Sequence, residues 1–140
     1  AAPLRHCFVS SYIDYLYIMK LSIDNLYKEA IKMIDKSLVS GNTTMLLLKL
    51  LSEKDMYGYE MIDTLAQRSN NVFELRAGTL YPLLRNLVNQ KCLTSYEQEV
   101  NGKLRKYYSL TTIGKQLLKE KEKTWHEYSQ AVLSVIGNMA

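Results

Sequence analysis

The spacing of apolar residues along this chain follows a helical period, then an alternating one, then a helical period again. Over residues 22–34, Ile23, Leu26, Tyr27, Ala30, Ile31 and Ile34 fall on one stripe, which predicts an amphipathic helix with Ser22 placed to cap it. Ser40, Gly41 and Asn42 read as a turn, and residues 43–51 as a short, very apolar helix that residues 52–57 bring to an end. Gly58 opens the next helix, predicted over 59–69 with Tyr59, Ile62, Leu65 and Ala66 on one face and with Asn70 and Asn71 closing it. A further helix is predicted over 77–90. Pro82 limits how far upstream it can start, because proline lacks an N–H and fits only a first turn, where that group has no helical partner.

Beyond residue 90 the period shortens. Residues 93–100 alternate imperfectly around Leu93, Tyr96 and Val100, Asn101-Gly102 is a tight hairpin turn, and residues 104–110 return as a strand with Tyr107, Tyr108 and Leu110. Thr111 then caps a last helix over 112–136, whose stripe is Ile113, Leu117, Trp125, Tyr128, Val132 and Val135. A helix of about 25 residues spans roughly 40 Å, more than a small domain can cover, so the stripe calls for a partner helix and hence a homodimer.

Helices followed by a two-stranded hairpin and a long helix predict a mainly α (α+β) fold. It is a winged helix-turn-helix with an N-terminal helix and a long C-terminal dimerisation helix. The corresponding divisions are an extension over 1–33, a DNA-binding domain over 34–111 and a dimerisation helix over 112–140. The first segment leaves two readings open: a helix that packs on the body or on a partner subunit, or an extension upstream of an internal start at Met19 or Met33.

Composition narrows the function. A chain of 140 residues buries roughly two-thirds of its unfolded surface and needs neither metal nor disulfide to fold. Cys7 and Cys92 form no CxxC pair, and His6 and His126 complete no ligand cluster, so free thiols in a reducing cytoplasm and no cofactor are expected. No apolar run of about 20 residues exists, and residues 4–23 carry Arg5, His6, Asp14 and Lys20, so neither a membrane span nor a secretory signal is expected. Gly58 and Gly78 stand at helix starts rather than in phosphate loops. No nucleophile elbow or metal-ligand set accompanies them, so no enzymatic activity is expected. The net charge of +4 suits a polyanionic partner, but where the charge lies decides more than its sum.

On a wheel of 100° per residue, Leu80, Leu83, Leu84 and Leu87 cluster within about 100°. Pro82, Arg85, Asn86 and Asn89 fall opposite, with Thr79 and Tyr81 at the margins. A guanidinium, two amides, a hydroxyl and a phenol suit a major groove, where Arg bridges guanine acceptors, Asn pairs with adenine and hydroxyls hold phosphates. The same pattern also describes the solvated face of an ordinary amphipathic helix. The hairpin separates the two readings: its tip, NGKLRK, sets Lys103, Arg105 and Lys106 beside a tight turn, suited to phosphate or minor-groove contact. A polar-faced helix followed directly by a cationic hairpin points to double-stranded DNA.

Residues 34–136 resemble the PadR family of transcriptional regulators. The resemblance rests on DKSLVSGNTTMLLLKLL, YGYEMIDTL, GTLYPLLRNLVNQKCLTSY and GKLRKYYSLTTIGKQLL, the last two being highly specific together. It implies a homodimeric repressor on a pseudo-palindromic operator, with DNA contacts from Thr79, Tyr81, Lys103, Arg105 and Lys106. Arg85 and Asn86 follow from the wheel as much as from the resemblance. Trp125, in EKTWHEYSQAV, lies where many members carry a tryptophan in the dimer helix, and in a multidrug-binding subgroup such tryptophans sandwich flat aromatic compounds. Trp125 therefore reads either as dimer core or as the wall of an effector site. A winged-helix protein-interaction module without direct DNA binding is the competing reading of the whole chain.

Overall fold

The computed structural model describes residues 16, 18–20, 23 and 36–137. The chain divides into two compact units, Ala1–Lys36 and Ser37–Ala140. In the first unit the described positions 16, 18–20 and 23 are helical and exposed. Apart from Ile23, the stripe predicted over 22–34 lies outside the described residues, as does Cys7.

From Lys36 onward the element order is α1 (Lys36–Glu53), β1 (Met56–Tyr57), α2 (Gly58–Arg68), α3 (Ala77–Asn89), β2 (Leu93–Val100), β3 (Lys103–Leu110) and α4 (Thr112–Ile136). The three strands form one antiparallel sheet in the order β1-β3-β2. This is the mainly helical α+β winged arrangement that the periodicity predicts. Among the described residues no helix is long and apolar enough to cross a membrane.

Three local readings are corrected. Residues 40–42 are not a turn, because α1 runs through them. Gly41 has a negative φ there and costs a helix only about 1 kcal/mol relative to alanine. Burial of Leu47, Leu48, Leu50 and Leu51 on the same helix outweighs that. Second, α2 is rotated from its predicted face. Gly58, Met61 and Leu65 are buried while Tyr59 is 58% exposed. Third, Met56 and Tyr57 are a short strand, paired with Tyr108 and Tyr107 across β3.

The core is a leucine- and methionine-rich cluster. Leu47 and Leu48 of α1, Met56 of β1, Met61 of α2, Leu80 and Leu84 of α3 and Leu93 of β2 are almost fully enclosed. Between elements, left-handed backbone falls mostly on asparagine: Asn70 and Asn71 (φ 49° and 63°) follow α2, and Asn101 (φ 52°) precedes Gly102 (φ 76°) in the hairpin turn, while Lys91 (φ 62°) takes it between α3 and β2.

The start of α4 is tied to the base of the hairpin. Thr111 Oγ1 accepts from the Gly114 N–H at 3.1 Å, capping the helix, and its hydroxyl lies 2.7 Å and 2.9 Å from the Lys91 and Cys92 carbonyl oxygens. A Cβ on Gly114 would collide with the Cys92 carbonyl oxygen and with Leu110, so only glycine lets the helix lie this close. Leu118, outside the predicted stripe, is the α4 side chain that enters the core, with Leu117 packed partly against it. Ile113 instead is half-exposed. Farther along, Trp125, Tyr128, Val132, Leu133, Val135 and Ile136 are all exposed.

Candidate nucleic-acid interface

Helix α3 buries Leu80, Leu84 and Leu87, and Leu83 packs partly against the core, so the predicted apolar side is the inner one. Thr79, Tyr81, Arg85, Asn86 and Asn89 are exposed. At about 100° per residue they divide into three strips. Gly78, Pro82 and Asn89 occupy the middle of the exposed face, roughly opposite Leu80. Thr79 and Asn86 lie on one flank. Tyr81, Arg85 and Val88 lie on the other, and this flank faces the hairpin: with Lys106 and Tyr108 of β3 they line a cleft of about 270 Å³.

The hairpin register sorts the wing cations. Val100 stands opposite Lys103, Gln98 opposite Arg105, Glu97 opposite Lys106, Tyr96 opposite Tyr107 and Ser95 opposite Tyr108. Successive strand residues point to opposite faces. Lys106 thus shares the face of buried Tyr108 and looks toward α3, its ammonium 5.8 Å from the Tyr108 ring centre. Arg105 and Lys103 belong to the other face. There the Arg105 guanidinium lies 4.3 Å above the Tyr57 ring, a cation–π contact that leaves it half-buried. Of the three predicted wing cations, the structure brings Lys106 alone together with Arg85.

That outer face carries an aromatic row that sequence reasoning missed. Tyr57 meets Tyr107 edge-on and Tyr107 stacks on Tyr96, each pair 5.6 Å apart. Tyr96 Oη donates to Asp55 Oδ2 at 2.9 Å, joining β2 to the segment before β1. The acceptor carboxylate holds the Tyr96 hydroxyl's pKa above its ordinary value, with burial adding to the effect. Burial is the main reason that Tyr108 also titrates high. Nearby Tyr81 adds to this, and Arg85 opposes it. The facing of Tyr96 and Tyr107 was available from the two-residue turn. The arrival of Tyr57 beside them was not.

Tyr81 is packed as well as exposed. A Cβ on Gly58 would lie 2.6 Å from its phenol oxygen, so the missing side chain at the start of α2 is what lets the Tyr81 ring rest there. Exposed ion pairs hold the neighbouring helices: Arg68 grips Glu53 through two bonds of 2.9 and 2.5 Å, and Lys54 pairs with Glu60. The Arg68 guanidinium keeps the Glu53 carboxyl below its usual pKa.

A second cleft, of about 440 Å³, lies between α1 and α4 and is lined by residues including Met45, Leu117, Thr124, Trp125 and Tyr128. Trp125 therefore borders a groove while staying 48% exposed.

Residues 47–120, spanning the helix-turn-helix, the wing and the start of α4, match the model of the transcriptional regulator PadR-like family. The chain belongs to the PadR family. It is 34% identical to an uncharacterized protein X of Lysinibacillus sphaericus over 101 residues, 71% of this chain and 93% of that one. It is equally identical over 80 residues to the transcriptional regulator YqjI of Escherichia coli, covering 57% of this chain and 37% of that regulator's length. Among solved structures, a PadR family transcriptional regulator from Eggerthella lenta superposes with a TM-score of 0.67 at 33% identity, over 81% of this chain and 97% of its own. PadR membership makes the protein a regulator of transcription rather than an enzyme.

Proposed function

We propose that this PadR-family protein is a homodimeric repressor that binds a pseudo-palindromic operator in double-stranded DNA and acts in the cytoplasm. The observation that carries this reading is the exposed polar side of α3, with Thr79, Tyr81, Arg85, Asn86 and Asn89, lying next to a hairpin that bears Lys103, Arg105 and Lys106. A helix about 10–12 Å across fills a major groove about 12 Å wide, so α3 enters with its middle toward the bases and its flanks toward the two backbones. Asn89 in the middle offers an amide to an adenine edge, Asn86 and Thr79 on one flank offer an amide and a hydroxyl to the outermost base and the adjoining phosphate, and the wing cations supply sequence-independent affinity.

Two copies are needed to read two half-sites. The exposed apolar side chains at the far end of α4, Trp125, Tyr128, Val132 and Val135 among them, support this helix as the dimer contact, together with Ile113 and Leu117 nearer its start. The groove beside Trp125 supports a flat aromatic effector that relieves repression.

The test is titration of the protein into a labelled duplex from the region upstream of its own gene. Nanomolar binding that weakens steeply with salt, by a species sedimenting as a dimer, is the expected result. No binding at low salt would leave the α3 side free for a protein partner instead.

A further inference from the structure

The flank of α3 that faces the wing carries a different kind of chemistry from the middle of the helix. Tyr81, Arg85 and Val88 recur at the spacing of one helix edge, and the cleft they border is closed on its other side by Lys106 and Tyr108 of β3. Two full positive charges therefore face one small space whose walls are ring and methyl carbon. Among the described residues neither Arg85 nor Lys106 belongs to an ion pair; the charged pairs are Lys54 with Glu60, Arg68 with Glu53, and Lys123 with Glu127. Glu97 is the cross-strand neighbour of Lys106 but makes no ion pair with it. Like charges brought together over carbon are unfavourable unless an anion separates them.

Arg85 lies on the side of α3 that faces the wing, where the groove wall next to β3 would rise. At a groove wall the nearest anion is a phosphodiester, and guanidinium and ammonium groups both bind its oxygens.

We propose that the cleft between α3 and β3 is the seat of one backbone phosphate of the DNA, held from the helix side by Arg85 and from the wing side by Lys106. This rests on the DNA-binding reading given above. Arg85 then fixes how deeply α3 sits and how the wing is oriented against it, and base discrimination falls to Asn86 and Asn89.

The test uses the full chain and two duplexes: one that the protein itself selects from a randomised pool, and a scrambled duplex of the same length and composition. Arg85→Ala and Lys106→Ala should each weaken binding to both duplexes by about tenfold, leaving their ratio unchanged, and each should lower the salt slope by about 1. Arg85→Lys should keep the wild-type slope. A neutral methylphosphonate placed at successive positions of a half-site should, on wild-type protein and with no variant needed, reveal one linkage that weakens binding by about tenfold and lowers the salt slope by about 1; at that linkage both alanine substitutions should become silent. The proposal is overturned if Arg85→Ala collapses the ratio between the duplexes while the salt slope stays put. It is equally overturned if the two substitutions go silent at different linkages. Wild-type protein that binds neither duplex at low salt would instead overturn the DNA-binding reading.

Discussion

The Tyr81 ring rests on the backbone of Gly58, so close that a single added methyl carbon would lie 2.6 Å from the phenol oxygen and 2.9 Å from the ring carbon bearing it. The first residue of α2 thereby sets the position of a side chain at the exposed edge of α3. Gly58→Ala should displace the Tyr81 ring rather than unfold the domain, because the end of a side chain can give way where a backbone cannot. The expected stability loss is about 1 kcal/mol. DNA binding should weaken by about tenfold, equivalent to ~1.4 kcal/mol. In a Tyr81→Ala background the same substitution should be silent, and a double-mutant cycle measures the coupling. Additive effects would mean that the two residues act independently.

Gly114→Ala makes the opposite case. The atom in the way is the Cys92 carbonyl oxygen, part of the chain at the base of the wing, so the helix itself has to move. A loss of about 3 kcal/mol is expected, read as a lower urea midpoint with little change in slope. A midpoint within error of wild type would show that α4 is not seated on this carbonyl.

Alkaline conditions should loosen the sheet. Tyr96 and Tyr108 both titrate above the ordinary tyrosine value of 10.0, the first chiefly through its hydrogen bond to Asp55 and the second chiefly through burial. A raised folded-state pKa contributes stability that is intact below the unfolded value and is lost as pH rises through the folded one. Melting temperature should therefore fall above pH ~10 on account of these groups. Tyr96→Phe should make that decline shallower while lowering stability at neutral pH through loss of the Asp55 bond. Thermal melts from pH 8 to 11 in which the variant and wild type decline in parallel would exclude Tyr96 as a contributor.

Much of this architecture was legible in the periodicity. Helix α3 buries one side and α4 is long and opens on the Thr111 cap, so spacing and cap mark them within a residue or so. Ser40-Gly41-Asn42 misled because local turn preference is worth about 1 kcal/mol and the leucines downstream decide the matter. Strand β1 has two residues and hence no period; it exists because β3 offers it partners. At the candidate interface, Asn86 and Asn89 could be placed by the wheel. The opposite facing of Arg105 and Lys106 followed from the Asn101-Gly102 turn, which fixes every pair along the hairpin. The capture of Arg105 by Tyr57 could not be read, since Tyr57 comes from a segment whose register only the folded sheet defines.

The outer end of α4 provides a test of assembly. Val132→Asp places a charge among the exposed apolar side chains at the end of α4. The variant should sediment as a monomer, keep its helical circular dichroism and lose most of its operator affinity. A dimer that survives the substitution would locate the contact elsewhere.

Trp125 is the chain's one tryptophan, so the emission comes from a single site, at the border of the α1–α4 groove. A flat aromatic cation should quench it saturably and release DNA over the same concentration range. Quenching without release would separate occupancy of the groove from control of binding.

The seat of α4 on the Cys92 carbonyl has a further meaning for how such a regulator diverges. In a dimer joined through α4, the distance between the two α3 helices is measured from that carbonyl outward, like a ruler whose zero mark is the foot of the wing. On the reading proposed above, changes at Asn86 and Asn89 of α3 would alter which letters are read. In such a dimer, changes in the packing around Gly114, Leu110 and Thr111 would alter how far apart the two words stand. Because the two sets of residues do not overlap, each property can drift through evolution while the other is held.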